Sequence, residues 1–292
     1  MLSFAGEAKR ASASALRLKG GRELDLSRPI VMGVVNVTPD SFSDGGQRFS
    51  TASAVTGARK LEAEGAVIID IGGESSRPGA APVTADEELR RIAPVVKRLR
   101  AESDIVISVD TTKSEVASAA LYAGADMIND ISAGLVSPDM IPLVAESGAG
   151  YVLMHMQGRP QTMQDDPTYT DVVSEVREFL AGRVRVCLAA GMEPRSIALD
   201  PGIGFGKTAR HNLELIGHFD RFSDMGYPLM IGTSRKSFVG GFSRISAPPD
   251  RRLGGSLASA LEAVRRGARI VRAHDVRETV QALAIYGAVE CA

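Results

Sequence analysis

The chain has 292 residues, 44% of them hydrophobic, enough to bury a large core and long for an ordinary domain but usual for an α/β barrel. Its 34 basic and 35 acidic residues leave a formal net charge of −1, which excludes a general attraction to nucleic acid or to an anionic membrane and makes any anion binding local. Two cysteines outside any C-x-x-C pair, four histidines without i,i+4 spacing and no long apolar run exclude a zinc-finger type of site and a membrane span, so a soluble cytoplasmic protein is expected.

Residues 1–15 are polar and expected to be disordered, and 16–292 are expected to form one domain. Leu16 and Leu18, a Lys19-Gly20-Gly21-Arg22 turn, then Leu24 and Leu26 alternate with polar residues and predict a β-hairpin outside the main fold. Beyond it a unit repeats: a helical pattern, a glycine, a short apolar strand, and a polar residue at the strand's end. Strands are predicted at 30–36, 67–71, 105–110, 126–130, 151–155, 197–200, 229–233 and 270–274. Helices are predicted at 51–64, 85–101, 113–123, 139–147, 171–190, 210–225, 256–266 and 276–287. Gly65, Gly124, Gly148, Gly191, Gly226 and Gly267 stand just before the next strand, where a left-handed helix C-cap favours glycine. Apolar strands alternating with amphipathic helices imply a parallel sheet, and eight such units imply a closed (β/α)8 TIM barrel, with a doubly wound open sheet as the runner-up.

The stretch LDPGIGFGK, residues 199–207, delivers one carboxylate, Asp200, from an apolar strand to a glycine-rich rim. Its glycine spacing fits neither the dinucleotide fingerprint nor the phosphate-binding P-loop. The remaining readings are a fixed Asp-Pro turn whose glycines let a flat ligand approach the backbone, or an Asp that caps the next helix. In a barrel the strand C-termini share one rim, which would gather Asn36, Asp70, Asp110, Asn129, His155, Asp200, Thr233 and His274. Amides beside carboxylates suit a fused nitrogen heterocycle rich in N–H groups and carbonyl edges. Arg77, Arg235, Lys236, Arg272 and His274 add positive charge to the same rim, where this architecture commonly binds phosphate.

Seven blocks in order carry a family resemblance: MGVVNVTPDSFSDGG at 32–46, DIGGESSRPG at 70–79, SVDTT at 108–112, MINDIS at 127–132, LDPGIGFGKTARHN at 199–212, GTSRKSFV at 232–239 and RAHDV at 272–276. From about residue 30 to 287 the chain resembles the dihydropteroate synthases of the pterin-binding family. The resemblance implies condensation of 6-hydroxymethyl-7,8-dihydropterin pyrophosphate with p-aminobenzoate, giving 7,8-dihydropteroate and pyrophosphate, with Mg2+. It also implies a homodimer through the later helices and a target of sulfonamides. Carried over, Asp110, Asn129, Asp200 and Lys236 would hold the pterin between Ile131, Met154, Phe205 and Gly232. Asn36, through the metal, Arg272 and His274 would meet pyrophosphate; loops 38–50 and 72–82, with Phe42, Ser76, Arg77 and Pro78, would complete the p-aminobenzoate subsite, where Ser234 would touch the carboxylate. Asp110, Asp200, Lys236, Arg272 and His274 are the expected catalytic set. Ser76 stands where threonine is common in the family, and Ala273 where valine is common.

Three other readings exist. Corrinoid-dependent methyltetrahydrofolate methyltransferases share the pterin-binding fold, without the SRKSF segment and two long loops expected here. An aldolase would use Lys236 as a Schiff base. A homologue could also bind pterin without turnover, although Asn36, Asp110, Asp200, Lys236, Arg272 and His274 are all in place.

Overall fold

The unbroken apolar runs become eight parallel strands: β3 (Ile30–Asn36), β4 (Ile68–Gly72), β5 (Val106–Asp110), β6 (Met127–Asp130), β7 (Gly150–Met154), β8 (Ile197–Asp200), β9 (Met230–Ile231) and β10 (Ile270–Ala273). The computed structural model describes residues 14–38, 47–76, 79–242 and 248–290, with no side chain described over 47–50. Strand order is β8-β7-β6-β5-β4-β3-β10-β9. The two ends of that order meet where Leu199 bridges Leu229 in parallel and donates its N–H to Pro228 at 2.9 Å. The sheet is therefore a barrel, and the open sheet is excluded.

Helices follow the strands: α1 (Gln47–Ala63), α2 (Ala85–Glu102), α3 (Ser114–Ala123), α4 (Met140–Ser147), α5 (Val172–Ala189), α6 (Ala209–Gly217), α7 (Asp220–Ser223), α8 (Ser237–Phe242), α9 (Leu253–Arg265) and α10 (Val276–Glu290). α2 shows why such segments are helical: Thr84 caps its start by accepting the Glu87 N–H, and Ile92, Val95, Val96 and Leu99 form one buried stripe. Its neighbour α3 ends at Gly124, whose φ of 113° lets its N–H reach back to Ala120 and Leu121. The helix predicted over 210–225 is two pieces, since α6 stops at Gly217, a poor helix former, and one further turn restarts as α7. α8 escaped prediction because it is six residues long and holds two glycines. Among the described residues no helix is long and apolar enough to cross a membrane.

The hairpin forms as expected from β1 (Ala15–Arg17) and β2 (Glu23–Asp25), with Leu16 opposite Leu24. It does not stand apart from the barrel. Its polar residues face out, while Leu16, Leu18, Leu24 and Leu26 pack under the inward side chains Met32, Ile68, Val106, Met127, Val152, Ala198, Met230 and Ile270. Side chains alternate between the two faces of a strand, so the next inward positions up the barrel are Val34, Asp70, Ser108, Asn129, Met154, Asp200, Gly232 and Arg272. A dry leucine floor thus underlies a polar layer at the opposite end.

Candidate functional site

Arg272, from β10, reaches across the barrel and forks between two carboxylates. Its Nε donates to Asp70 Oδ2 at 2.6 Å, and its Nη2 donates to Asp110 Oδ2 at 2.9 Å. Asn129 Nδ2 donates to the same Asp70 oxygen at 3.2 Å. Asp70 has no exposed surface and Asn129 almost none. Asp70 Oδ1, Asn129 Oδ1 and Ser108 Oγ nevertheless have no protein partner. Unmatched buried acceptors are costly, so Asn129 Oδ1 at this level suits a ligand that brings N–H groups. Burial raises the Asp110 carboxyl to about 7, with Arg272 opposing the rise and Asp70 adding to it.

Asp200 and Lys236 make the second charged pair. Burial raises Asp200, against the pull of Lys236 and a 2.7 Å hydrogen bond from the Gly202 N–H. Burial lowers Lys236 to about 8, with Asp200 opposing. Lys236 Nζ donates to the Ile203 carbonyl and lies 4.6 Å from the centre of the Phe205 ring, a cation–π contact.

The glycine loop between them is anchored at nearly every peptide. Gly204 N–H donates to Asn212 Oδ1 at 2.7 Å, Gln164 donates to the Gly204 carbonyl at 2.7 Å, and the Tyr169 hydroxyl donates to the Gly206 carbonyl at 2.8 Å. What comes close to its glycines is protein rather than a flat ligand. A Cβ on Gly202 would lie 1.9 Å from the His155 carbonyl oxygen, and one on Gly206 would lie 2.3 Å from that of Gln157. Both have positive φ, so the loops after β7 and β8 can touch backbone to backbone only with glycine at these positions. Asp200 does not cap the following helix; Thr208 does, in a capping box with His211.

Strand parity sorts the other candidates. Asn36, Asp110, Asn129, Ile131, Met154, Asp200, Gly232, Arg272 and His274 share the inward phase, whereas His155 and Thr233 fall on the outward one. His155 packs edge-on against Phe179 of α5 and contacts Lys207, and Thr233 donates to the Ser256 carbonyl in α9. Neither belongs to the polar ring expected at the mouth. Arg235 is also committed elsewhere: it grips Asp275 with Nε and Nη2 at 3.1 and 2.5 Å. Ser234 Oγ accepts the His274 backbone N–H at 3.1 Å and contacts its Nδ1 at 3.0 Å. Ser76 is half-buried in the loop after β4, whose base is tied where Glu74 accepts the Val83 N–H at 3.0 Å and pairs with Lys113. Phe42, Arg77 and Pro78 lie outside the described residues. Asp70, expected on the rim as one of its polar residues, proves to be the buried partner of Arg272, for which the available signal was their shared inward parity; the buried Lys207 had no role in the sequence reading.

For Mg2+ the relevant feature is Gly72, where an added Cβ would meet Asn36 Oδ1 at 3.8 Å and Asp110 Oδ2 at 3.9 Å. Two hard oxygens on the same side of Gly72 fit an ion that keeps most of its shell as water and substrate phosphate. Among the described residues no cluster of three or more His, Cys, Asp or Glu side chains offers a dedicated cage.

The sequence pattern of the pterin binding enzyme family matches residues 32–274. Dihydropteroate synthase of Escherichia coli (strain K12) is 47% identical over 265 residues, covering 91% of this chain and 93% of its own length. The solved structure of Xanthomonas albilineans dihydropteroate synthase with 4-aminobenzoic acid superposes with a TM-score of 0.89 at 46% identity, over 96% of this chain and 99% of its own. Yersinia pestis dihydropteroate synthase, in a complex with a sulfonamide drug, gives a TM-score of 0.89 at 45% identity, over 95% of this chain and 100% of its own.

The raised Asp110 carboxyl yields a testable sign. Its folded value of about 7 exceeds the unfolded one, so its contribution to stability is present at low pH and is lost as pH rises through 7. Carboxyl carbon NMR of the free protein should show one aspartate titrating near 7, absent in Asp110→Asn. A spectrum in which every aspartate titrates in the ordinary acidic range would refute this placement.

Proposed function

The chain belongs to the pterin binding enzymes and, among them, to the dihydropteroate synthases, and from this premise we infer how its rim works. The reaction joins the pterin methylene carbon of 6-hydroxymethyl-7,8-dihydropterin pyrophosphate to the amine of p-aminobenzoate. The C–O bond to pyrophosphate breaks, a C–N bond forms, and the nitrogen loses a proton to give 7,8-dihydropteroate. The observation that supports the residue assignment is that Asp110, Asn129 and Asp200 share the inward strand phase, with Lys236 facing Asp200 and Asp110 from the loop after β9, beside an unmatched Asn129 Oδ1.

In this reading Asp110, Asn129 and Asp200 take the N–H edge of the pterin. Lys236 donates to its acceptors, and Ile131, Met154, Phe205 and Gly232 wall the ring. The leaving pyrophosphate needs positive charge, and the developing pterin cation needs negative or dipolar neighbours. Arg272 and His274 supply the first, Asp110 and Asp200 the second. Mg2+, when bound beside Asn36, would withdraw charge from the departing pyrophosphate. Ser234, whose Oγ accepts the His274 N–H, would meet the p-aminobenzoate carboxylate, with Ser76 and the loop residues Phe42, Arg77 and Pro78 completing that subsite. A weakly basic aniline nitrogen attacking a stabilised cation needs no strong base, so the lack of an assigned nucleophile–base pair is compatible with this chemistry.

The same reading extends to a cytoplasmic homodimer. Ile285 and Val289 stand 64% and 69% exposed on α10, beside exposed Ala284 and Ala288, an apolar stripe that a second copy would cover. Sedimentation should give twice the 30.8 kDa chain mass; a single-chain mass at micromolar concentration would exclude the dimer.

The direct test of function is pyrophosphate release by purified protein given dihydropterin pyrophosphate, p-aminobenzoate and Mg2+. Release should require p-aminobenzoate, stop on chelation, be inhibited by sulfonamides in competition with p-aminobenzoate, and fall at least ~100-fold in Asp200→Asn. Pterin binding without release, or methyl transfer from methyltetrahydrofolate, would favour the alternative readings instead.

A further inference from the structure

Lys207 closes the LDPGIGFGK stretch and is absorbed by none of the roles above. It is only 2% exposed, yet its Nζ makes no ion pair with any described carboxylate. It contacts three neutral acceptors: His155 Nδ1 at 2.9 Å, the His155 carbonyl at 3.3 Å and the Phe205 carbonyl at 3.0 Å. Three acceptors match the three N–H groups of an ammonium, with the imidazole neutral and its proton on Nε2. A neutral His155 follows from its surroundings, since burial and then the neighbouring Lys207 push it down to about 3.

The position of this cation matters. It sits behind the glycine loop whose front carries Asp200, Phe205 and Lys236. One hydrogen bond from Lys207 holds the Phe205 peptide, and the two to His155 hold the turn that Gly202 touches backbone to backbone. Asp200 faces Lys236 from the segment leading into α8, Arg272 from β10 and Lys207 from its own loop. Lys207 in turn faces Asp200, Lys236 and His155. Burial pushes Lys207 well below the usual lysine range and Asp200 opposes that, while Lys207, after Lys236 and the Gly202 N–H, opposes the rise that burial imposes on Asp200, so each favours the charged form of the other across the loop.

We propose that Lys207 is a positioning residue for pterin binding: its buried ammonium pins the back of the 201–206 loop to the turn at His155, fixing Phe205 and sustaining the carboxylate of Asp200. This rests on the assignment of the pterin pocket made above. It acts through Asp200 and Phe205, without touching the substrate.

The test is calorimetry of Lys207→Met with 6-hydroxymethylpterin over a range of pH, and separately with magnesium pyrophosphate. Pterin affinity at neutral pH should fall ~10-fold or more. The acid limb of its pH profile should move to higher pH, because Asp200 takes up a proton more readily once the supporting cation is gone. Pyrophosphate affinity should stay as in the parent protein. An unmoved acid limb, with pterin and pyrophosphate affinity falling together, would reduce Lys207 to a structural residue and overturn the proposal. Asp200→Asn in the same assay separates the premises: if it binds pterin like the parent, the pocket assignment fails, whatever Lys207 does. Should Lys207→Met not fold, nitrogen-15 lysine NMR of the unaltered protein decides. A slowly exchanging Lys207 ammonium that shifts on adding 6-hydroxymethylpterin supports the role, and a neutral amine or an unresponsive signal overturns it.

Discussion

The fork of Arg272 between Asp70 and Asp110 is the contact on which the pocket depends. It joins β10 to β4 and β5 across the interior of the barrel, and through Asp70 it also fixes Asn129 on β6. A guanidinium suits this place because its planar donors can serve two carboxylates at once and it stays charged when buried. Either charge left here without its partner would be costly, because removing one side of such a pair strands the other. Together they give a fixed base on which the weaker, titratable groups are arranged.

Those groups are held away from their comfortable charge states. Asp110 is raised to about 7 and Lys236 lowered to about 8, in both cases first by burial. Each therefore opposes folding near neutral pH, and the leucine floor under the barrel and the apolar layer between sheet and helices must offset it. The gain is functional. A pocket with matched acceptors and donors already oriented spends little of the ligand's binding free energy on reorganisation. The glycine loop shows the same economy, because its peptides are hydrogen-bonded by Asn212, Gln164, Tyr169, Lys207 and Lys236 before any ligand arrives.

Much of this is legible in the chain itself. Apolar strands, amphipathic helices and glycine caps at a common phase specify a parallel barrel, and the strand boundaries agree to within one residue except at β9, expected over 229–233 and only two residues long. Parity along each strand separates the pocket layer from the outer one, and it is why His155 and Thr233, though polar and at strand ends, face α5 and α9 instead of the mouth. Other features depend on contacts far apart in sequence and have no local signature. The hairpin reads as separate until its leucines are seen beneath the strands, the glycines of 202–206 read as a ligand cradle until the turn at His155 fills it, and nothing around Lys207 in the sequence marks it as buried.

The claim that Asp70 and Arg272 act as one unit beneath the pterin is best tested by a double-mutant cycle on kcat/KM for dihydropterin pyrophosphate. Asp70→Asn, Arg272→Met and the double variant would be compared with the parent. If the pair works as described, either single change costs nearly as much as both, with a coupling of about 1–3 kcal/mol. Losses that simply add would contradict it and make Asp70 a bystander in the barrel wall.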